Sequence, residues 1–324
     1  MYPLKFEPIL KQTLWGGNKL IAFKHLDATT EQVGESWEIS AVEGAASVVA
    51  NGPDKGLTLP EMVGKYRGRL VGESNYARFG TAFPLLIKFI DARLDLSVQV
   101  HPDDELAAER HHSRGKSEMW YILDADPGAR LIAGFSQQIT PDIYGERVRN
   151  GTFTEVLQSC EVHPGDLFYI PAGRVHGIGA GIFLAEIQQT SDVTYRIFDY
   201  NRKDNAGNLR PLHTELAVDA IRFSDVQEEF RTPYEAKVNV PVELLSTPYF
   251  HTSLYCLTEP LTCDYSERDT FIIYIGLEGG CTLVEQSGRQ TVLRAGETVL
   301  LPAVVQTIRI VPEAAGVRLL ETYV

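Results

Sequence analysis

The chain has 324 residues, with 30 Lys and Arg against 43 Asp and Glu, a formal charge of −13. That length allows two domains of ordinary size or one large one, and 44% hydrophobic with 23% charged residues is a globular composition. A net negative chain without a Lys/Arg-rich run argues against nucleic acid and anionic membranes as partners, and no stretch approaches the ~20 apolar residues that span a bilayer.

The N-terminus, Met1-Tyr2-Pro3-Leu4-Lys5-Phe6, lacks the basic-then-apolar order of a secretory signal. Cys160, Cys256, Cys263 and Cys281 are scattered, with no C-x-x-C pair, and read as reduced packing thiols. Both features predict a cytoplasmic protein.

Short apolar or alternating runs follow one another between Gly, Pro and Asp. Strands are predicted at Trp37–Val42, Leu85–Ile90, Met119–Leu123, Asp166–Ile170, Phe183–Gln188 and Tyr195–Phe198. Turn signals at short spacing suit a sandwich or barrel rather than βαβ units. Pro102–Glu109 carries acidic residues in a first helical turn, where the helix dipole favours them. Leu212–Phe230 has apolar residues at roughly helical spacing, and Pro233–Pro248 reads as a linker.

The last third repeats an earlier segment. Pro164–His176 aligns with Ala295–Thr307: each has Gly, an acid, an apolar strand, and Pro-Ala six residues after the Gly. Thr307 then stands where the first copy has His176. Aligning Tyr121-Ile122-Leu123 with Tyr274-Ile275-Gly276 places Phe271 at the position of Glu118. Two related β-units are therefore predicted, 1–232 and 233–324, with polar ligands in the first alone.

The richest segment is Leu96-Ser97-Val98-Gln99-Val100-His101-Pro102-Asp103-Asp104. In a strand, Ser97, Gln99 and His101 share one face and Leu96, Val98 and Val100 the other. Three polar residues on the face of an apolar strand are costly to bury without partners. Gln99 and His101, with Glu118 and His176, offer oxygen and nitrogen donors that suit Zn²⁺, while Fe²⁺, Mn²⁺ and Co²⁺ are chemically possible. Taken singly, His101 is equally a turn residue and Gln99 an ordinary strand residue. His25, His111, His112, His163, His213 and His251 have no such setting and read as surface or structural.

HPGDLFYIPAGRVH resembles the second motif of the cupin superfamily, small double-sheet β-barrels that hold a metal. SVQVHPDD, GKSEMWYIL, GESWEIS, PLLIKFIDA and TYRIFDYNR resemble, in order, the type I mannose-6-phosphate isomerases in their short bacterial form. The resemblance implies a mainly β protein of two cupin-type barrels with a few short helices, the second barrel degenerate. It implies a zinc site at Gln99, His101, Glu118 and His176, and an essential Arg196 projecting into the substrate pocket. It also implies Lys88 and Ser97 on the phosphate side, Lys116 and Glu186 as proton-transfer or orienting groups, and Arg202 as a cation that helps hold phosphate. The implied partner is a phosphorylated hexose, bound by a monomer or weak homo-oligomer.

Interconverting mannose 6-phosphate and fructose 6-phosphate moves hydrogen between C1 and C2 through a cis-enediol. The base is left open among Lys116, Glu186 and His101, with His101 last because a ligating nitrogen accepts no proton. Lys116 shares a strand face with Glu118 if extended, or is a solvated loop lysine. Arg196 faces opposite to Tyr195 and Ile197, where it meets either an anionic substrate or a partner in Asp192 or Asp199. Lys88 interrupts an apolar run, as a site residue or as an edge-strand charge. A metal-dependent cupin oxygenase and a non-catalytic phosphosugar-binding cupin remain alternatives. Residues 211–324 hold 8 Lys/Arg and 16 Asp/Glu against 22 and 27 in residues 1–210, so the first part is the one suited to a phosphorylated ligand.

Overall fold

A computed structural model describes residues 1–27, 32–203 and 207–324. The strand Leu85–Ala92, buried at every residue, sets the plan. Alternation sends its side chains to two places. Leu85, Ile87 and Phe89 enter an apolar core shared with Phe271, Ile273 and Leu300 of the last third. Ile90 and Ala92 enter another core, with Trp15, Trp120 and Phe168, and Lys88 has the parity of this second face.

The strand belongs to a six-stranded sheet ordered Leu167–Ile170, Glu118–Ala125, Ile182–Gln189, Leu85–Ala92, Ile9–Gly17, Val33–Ile39. Its neighbours pair antiparallel. A five-stranded sheet runs Leu157–Glu161, Arg130–Phe135, His176–Gly177, Val98–Val100, Tyr195–Phe198. Residues from both sheets meet in the first unit's interior, as in a double-sheet barrel.

The last third forms a seven-stranded sheet in which Ile272–Glu285 and Thr307–Tyr323 are long enough to serve both layers. They bend at pairing irregularities between Gly276 and Glu278 and between Gly279 and Cys281. Gly279 has φ +66°, and a Cβ there would lie 2.2 Å from the Gly316 carbonyl oxygen, so the bend requires glycine. The interior is filled by Tyr255, Leu257, Ile272, Tyr274, Leu283, Ile310 and Leu319. Mainly β architecture with short helices is thus as expected. Fully exposing even five side chains of the shared core would cost roughly 10 kcal/mol, which keeps the last third seated on the first unit.

Two expectations need correction. The helical spacing over 212–230 becomes helix only at Thr214–Ala220. Beyond it the chain runs across the first barrel, where Arg222 N donates to the Gly173 carbonyl and Arg174 pairs with Asp225 at 2.7 Å. These tertiary bonds replace the helical ones. In the repeat, Ile170 pairs with Glu118 whereas Leu301 pairs with Ile272, so Ile272 and not Phe271 takes the Glu118 position. A one-residue slip changes the face: Ile272 points into the second barrel and Phe271 into the shared core.

The helices Leu59–Tyr66, Gly68–Val71 and Glu73–Phe79 were not anticipated; the first starts at Thr58 in a capping box with Glu61. Asp104–His111 is capped by Asp103, whose side chain accepts from Leu106 N. Among the described residues no helix is long and apolar enough to cross a membrane.

Candidate metal centre and cavity

Val98 and Val100 pack into an apolar core, which leaves Gln99 to the opposite face of its strand. There it pairs across to His176 on one side and to Arg196 on the other. His101 continues the same extended run, and Glu118 opens a strand of the facing sheet. Donor atoms of His101, Glu118 and His176 all lie within 4.8 Å of one another, and all three residues are buried. His101 Nε2 is 3.2 Å from Glu118 Oε1, and His176 Nε2 is 3.8 Å from Glu118 Oε2.

Second contacts fix both rings. His101 Nδ1 lies 2.9 Å from the Val193 carbonyl oxygen and His176 Nδ1 2.9 Å from that of Arg174. A carbonyl only accepts, so each Nδ1 carries the proton and each Nε2 turns a lone pair to the cluster. Burial, with the charge of Lys116, pushes His101 down to about 3, and burial also lowers His176. Burial opposes charge on Glu118, but Lys116 and His101 outweigh it and hold the carboxyl well below its usual range. Two neutral imidazoles and a carboxylate result.

These residues fit a metal ion. Donors bound to one Zn-sized ion stand roughly 3–4 Å apart, as these do. Both Glu118 oxygens are buried without a hydrogen bond, although Lys116 Nζ approaches Oε1 at 2.6 Å. An ion supplies the partner that such oxygens otherwise lack. Gln99 turns its Nε2 to His176 Nε2 at 3.3 Å, while its Oε1 accepts from Ser97 Oγ at 3.2 Å. Its oxygen joins the donor set only if the amide turns over.

Gln99 and His176 line a cavity of about 200 Å³, with His101 and Glu118 behind its wall. Lys88, Ser97, Lys116, Glu186 and Arg196 line it too, so most of the expected site residues come together. Glu186 stands opposite Lys88 on one neighbouring strand and Trp120 on the other. Lys88 Nζ is 3.1 Å from Glu186 Oε1 and 3.6 Å from Glu35 Oε2, and Trp120 Nε1 donates to Glu186 Oε2 at 2.8 Å. Burial opposes charge on Lys88, yet Glu186 and Glu35 push its pKa up. Burial and then the Glu118 charge raise Glu186. Burial works against Glu35 as well, but Lys88 and the Trp37 hydrogen bond lower it. Glu35, Glu118 and Glu186 against Lys88 and Lys116 leave one surplus negative charge, which a divalent cation reverses.

The wall beside Gln99 is cationic. Arg196 donates to the Pro211 carbonyl at 3.0 Å, and its buried Nε has no partner. Among the described residues it pairs with no carboxylate; Asp192 lines the cavity, and Asp199 is held by Arg202 and Arg210. Burial and the nearby Arg210 charge lower the Arg196 pKa. Arg202 lies off the cavity wall, bound to Asp199 and to the Asp95 carbonyl, whereas Arg210 lines it. Arg210, Glu35, Trp15 and Trp37 were not singled out from sequence. Glu35 and Trp37 alternate within GESWEIS, a readable signal; Arg210 sits in a loop and had none.

Residues 4–127 match the family model of the phosphomannose isomerase type I catalytic domain. The chain is 36% identical to mannose-6-phosphate isomerase ManA of Bacillus subtilis, over 93% of each chain. It is 33% identical to the mannose-6-phosphate isomerase of Streptococcus mutans, over 94% of each. The crystal structure of the mannose 6-phosphate isomerase from Bacillus subtilis superposes with a TM-score of 0.88 at 30% identity, covering 100% of both chains.

Proposed function

The chain belongs to the type I phosphomannose isomerases, and from that premise we propose that it is a zinc-dependent isomerase interconverting mannose 6-phosphate and fructose 6-phosphate. The observation that carries this reading is the pairing of a buried His101–Glu118–His176 cluster with a cavity whose wall presents Arg196 and Arg210. The cluster suits a metal and the arginines suit a phosphate.

His101, His176 and Glu118 hold the ion, with Gln99 as the fourth and weakest donor; the nitrogen and oxygen set suits zinc. When bound, the ion polarises the sugar carbonyl and stabilises negative charge developing on its oxygens. The chain's own residues do the rest. Arg196 and Arg210 seat the anionic end of the sugar, with Arg202 acting one step back through Asp199. Ser97 holds Gln99 and adds a hydroxyl to the wall. Lys88 is tied to Glu186 and Glu35, and it sets the charge of Glu186 rather than standing free for phosphate. Lys116 and Glu186 are the groups that move protons between C1, C2 and their oxygens. His101 is not, because Nδ1 is committed to Val193 and Nε2 to the cluster. A raised, buried carboxyl is suited to proton transfer near neutrality, and Lys116 lines the cavity beside it.

Residues 1–232 form the catalytic unit and 233–324 a second cupin without ligands, a division supported by cavity-lining residues that all lie between Trp15 and Arg210. One chain lines the whole cavity, which fits action as a monomer or weak homo-oligomer. The four free cysteines fit a cytoplasmic location. Neither a cupin oxygenase nor a non-catalytic phosphosugar binder is favoured by the relatives.

The test is a coupled assay with zinc-loaded protein, mannose 6-phosphate and other hexose phosphates being offered separately. Fructose 6-phosphate formed from mannose 6-phosphate supports the reading, and oxygen consumption with no isomerisation overturns it.

A further inference from the structure

We propose that a groove at the junction of Glu73–Phe79, the Ser113–Gly115 loop and Tyr249 is a second anion site, for a small phosphate-bearing ligand. It does not depend on the isomerase reading. The groove is lined by Arg78, Phe79, Ser113, Arg114, Gln189 and Tyr249, among others, and has about 320 Å³ open to water, more than the about 200 Å³ of the metal-centre cavity.

Two cations share this groove with one acid, Asp104. The guanidinium carbons of Arg78 and Arg114 lie 4.7 and 4.4 Å from the centroid of the Phe79 ring, and so within about 9 Å of each other. Among the described residues neither makes a hydrogen bond or an ion pair. Arg114 is half-buried, and burial lowers its pKa; the Asp104 charge opposes this and the Arg78 charge adds to it. Two guanidinium groups held close repel each other, a repulsion that a bound anion relieves. Each acid close by has one oxygen engaged. Asp104 Oδ1 accepts from Gly115 N at 2.8 Å and from Gln189 Nε2 at 3.1 Å, and Asp103 Oδ1 caps its helix through Leu106 N. The Ser113 and Tyr249 hydroxyls have no partner among the described residues and add neutral donors. Two guanidinium forks with hydroxyl donors in the same groove match phosphate oxygens.

The groove also backs onto the metal centre. Ser117 N donates to Gln189 Oε1 at 2.9 Å, and the same chain segment carries Lys116 and Glu118 inward. A ligand on Arg114 therefore sits two residues from a cavity-lining lysine.

The experiment titrates zinc-loaded, isotope-labelled full-length protein with inorganic phosphate and, separately, glucose 6-phosphate, following backbone amide shifts. The amides of Phe79, Ser113, Arg114 and Gly115 should move with saturation. Arg78→Gln and Arg114→Gln should each raise the dissociation constant at that site roughly 10-fold, leaving shifts around Arg196 in place. Tighter binding of one probe tells whether the natural ligand is free phosphate or an ester. Arg78 is exposed, so its variant keeps the test interpretable if Arg114→Gln folds poorly. Groove amides that stay still while those near Arg196 move, or that shift equally in both variants, overturn the proposal.

Discussion

Lys88 and Glu186 face each other across neighbouring antiparallel strands, with Nζ 3.1 Å from Oε1 inside the barrel. Strand register places them there, and removing either partner leaves a buried charge alone. Lys88→Met should therefore lower stability by about 3 kcal/mol and raise the Glu186 pKa further, seen as an upward shift in the acidic limb of the kcat/KM profile. Lys88→Arg, which keeps the charge, should restore most of the stability in urea melts.

Among the described residues Arg196 has a buried Nε without a partner and makes no ion pair. Arg196→Ala should lower kcat/KM by roughly 10²-fold or more without changing zinc content. Arg196→Lys should recover little, since an ammonium has no planar fork. Steady-state kinetics with metal analysis on the same samples checks both.

Arg210 is held towards the cavity by Asp199, its Nε donating to Oδ2 at 2.7 Å. Asp199→Asn should loosen Arg210 and Arg202 together and act mainly on KM, by roughly 10-fold. A fall in kcat alone would place these groups elsewhere in the reaction.

In metal-free protein His101 titrates near 3, against about 6.5 in the unfolded chain. The unfolded state then binds more protons, so this residue's contribution is full above about 6.5 and is lost as pH falls towards about 3. Glu118 acts in the same sense below its ordinary range, and Glu186 in the opposite sense because its pKa is raised. Urea midpoints compared between wild type and His101→Gln isolate the first effect: the variant should lose less stability between pH 7 and pH 4.

The second barrel buries Glu321, whose Oε2 accepts from Tyr255 at 2.6 Å and from Tyr265, with Arg268 3.2 Å from Oε1. Glu321→Ala should cost about 3 kcal/mol by orphaning these donors, yet leave zinc content and KM unchanged. Thr307→Ala and Ile272→Ala should also leave zinc content unchanged.

Sequence alternation alone put Gln99 and His101 on one face, because a strand's two-residue period is local. Registers between strands are not local. The repeat was aligned one residue out at Phe271 because Tyr274 was matched to Tyr121, whereas pairing with Leu301 aligns Ile272 with Glu118. Arg202 was named because it closes a recognisable motif, and Arg210 was not considered; which of the two reaches the cavity depends on how Asp199 divides its oxygens, and that is tertiary. The helix expected over 212–230 was cut short by bonds to Gly173 and Arg174, which lie some 50 residues away.

The central claim is that one metal ion at His101, Glu118 and His176 makes this cavity an isomerase. Metal-free protein titrated with Zn²⁺ while fructose 6-phosphate formation is followed tests it directly. Activity should rise from near zero and break at one equivalent per chain, and His176→Ala should abolish the break. Full turnover by metal-free protein, or none at any zinc loading, would contradict it.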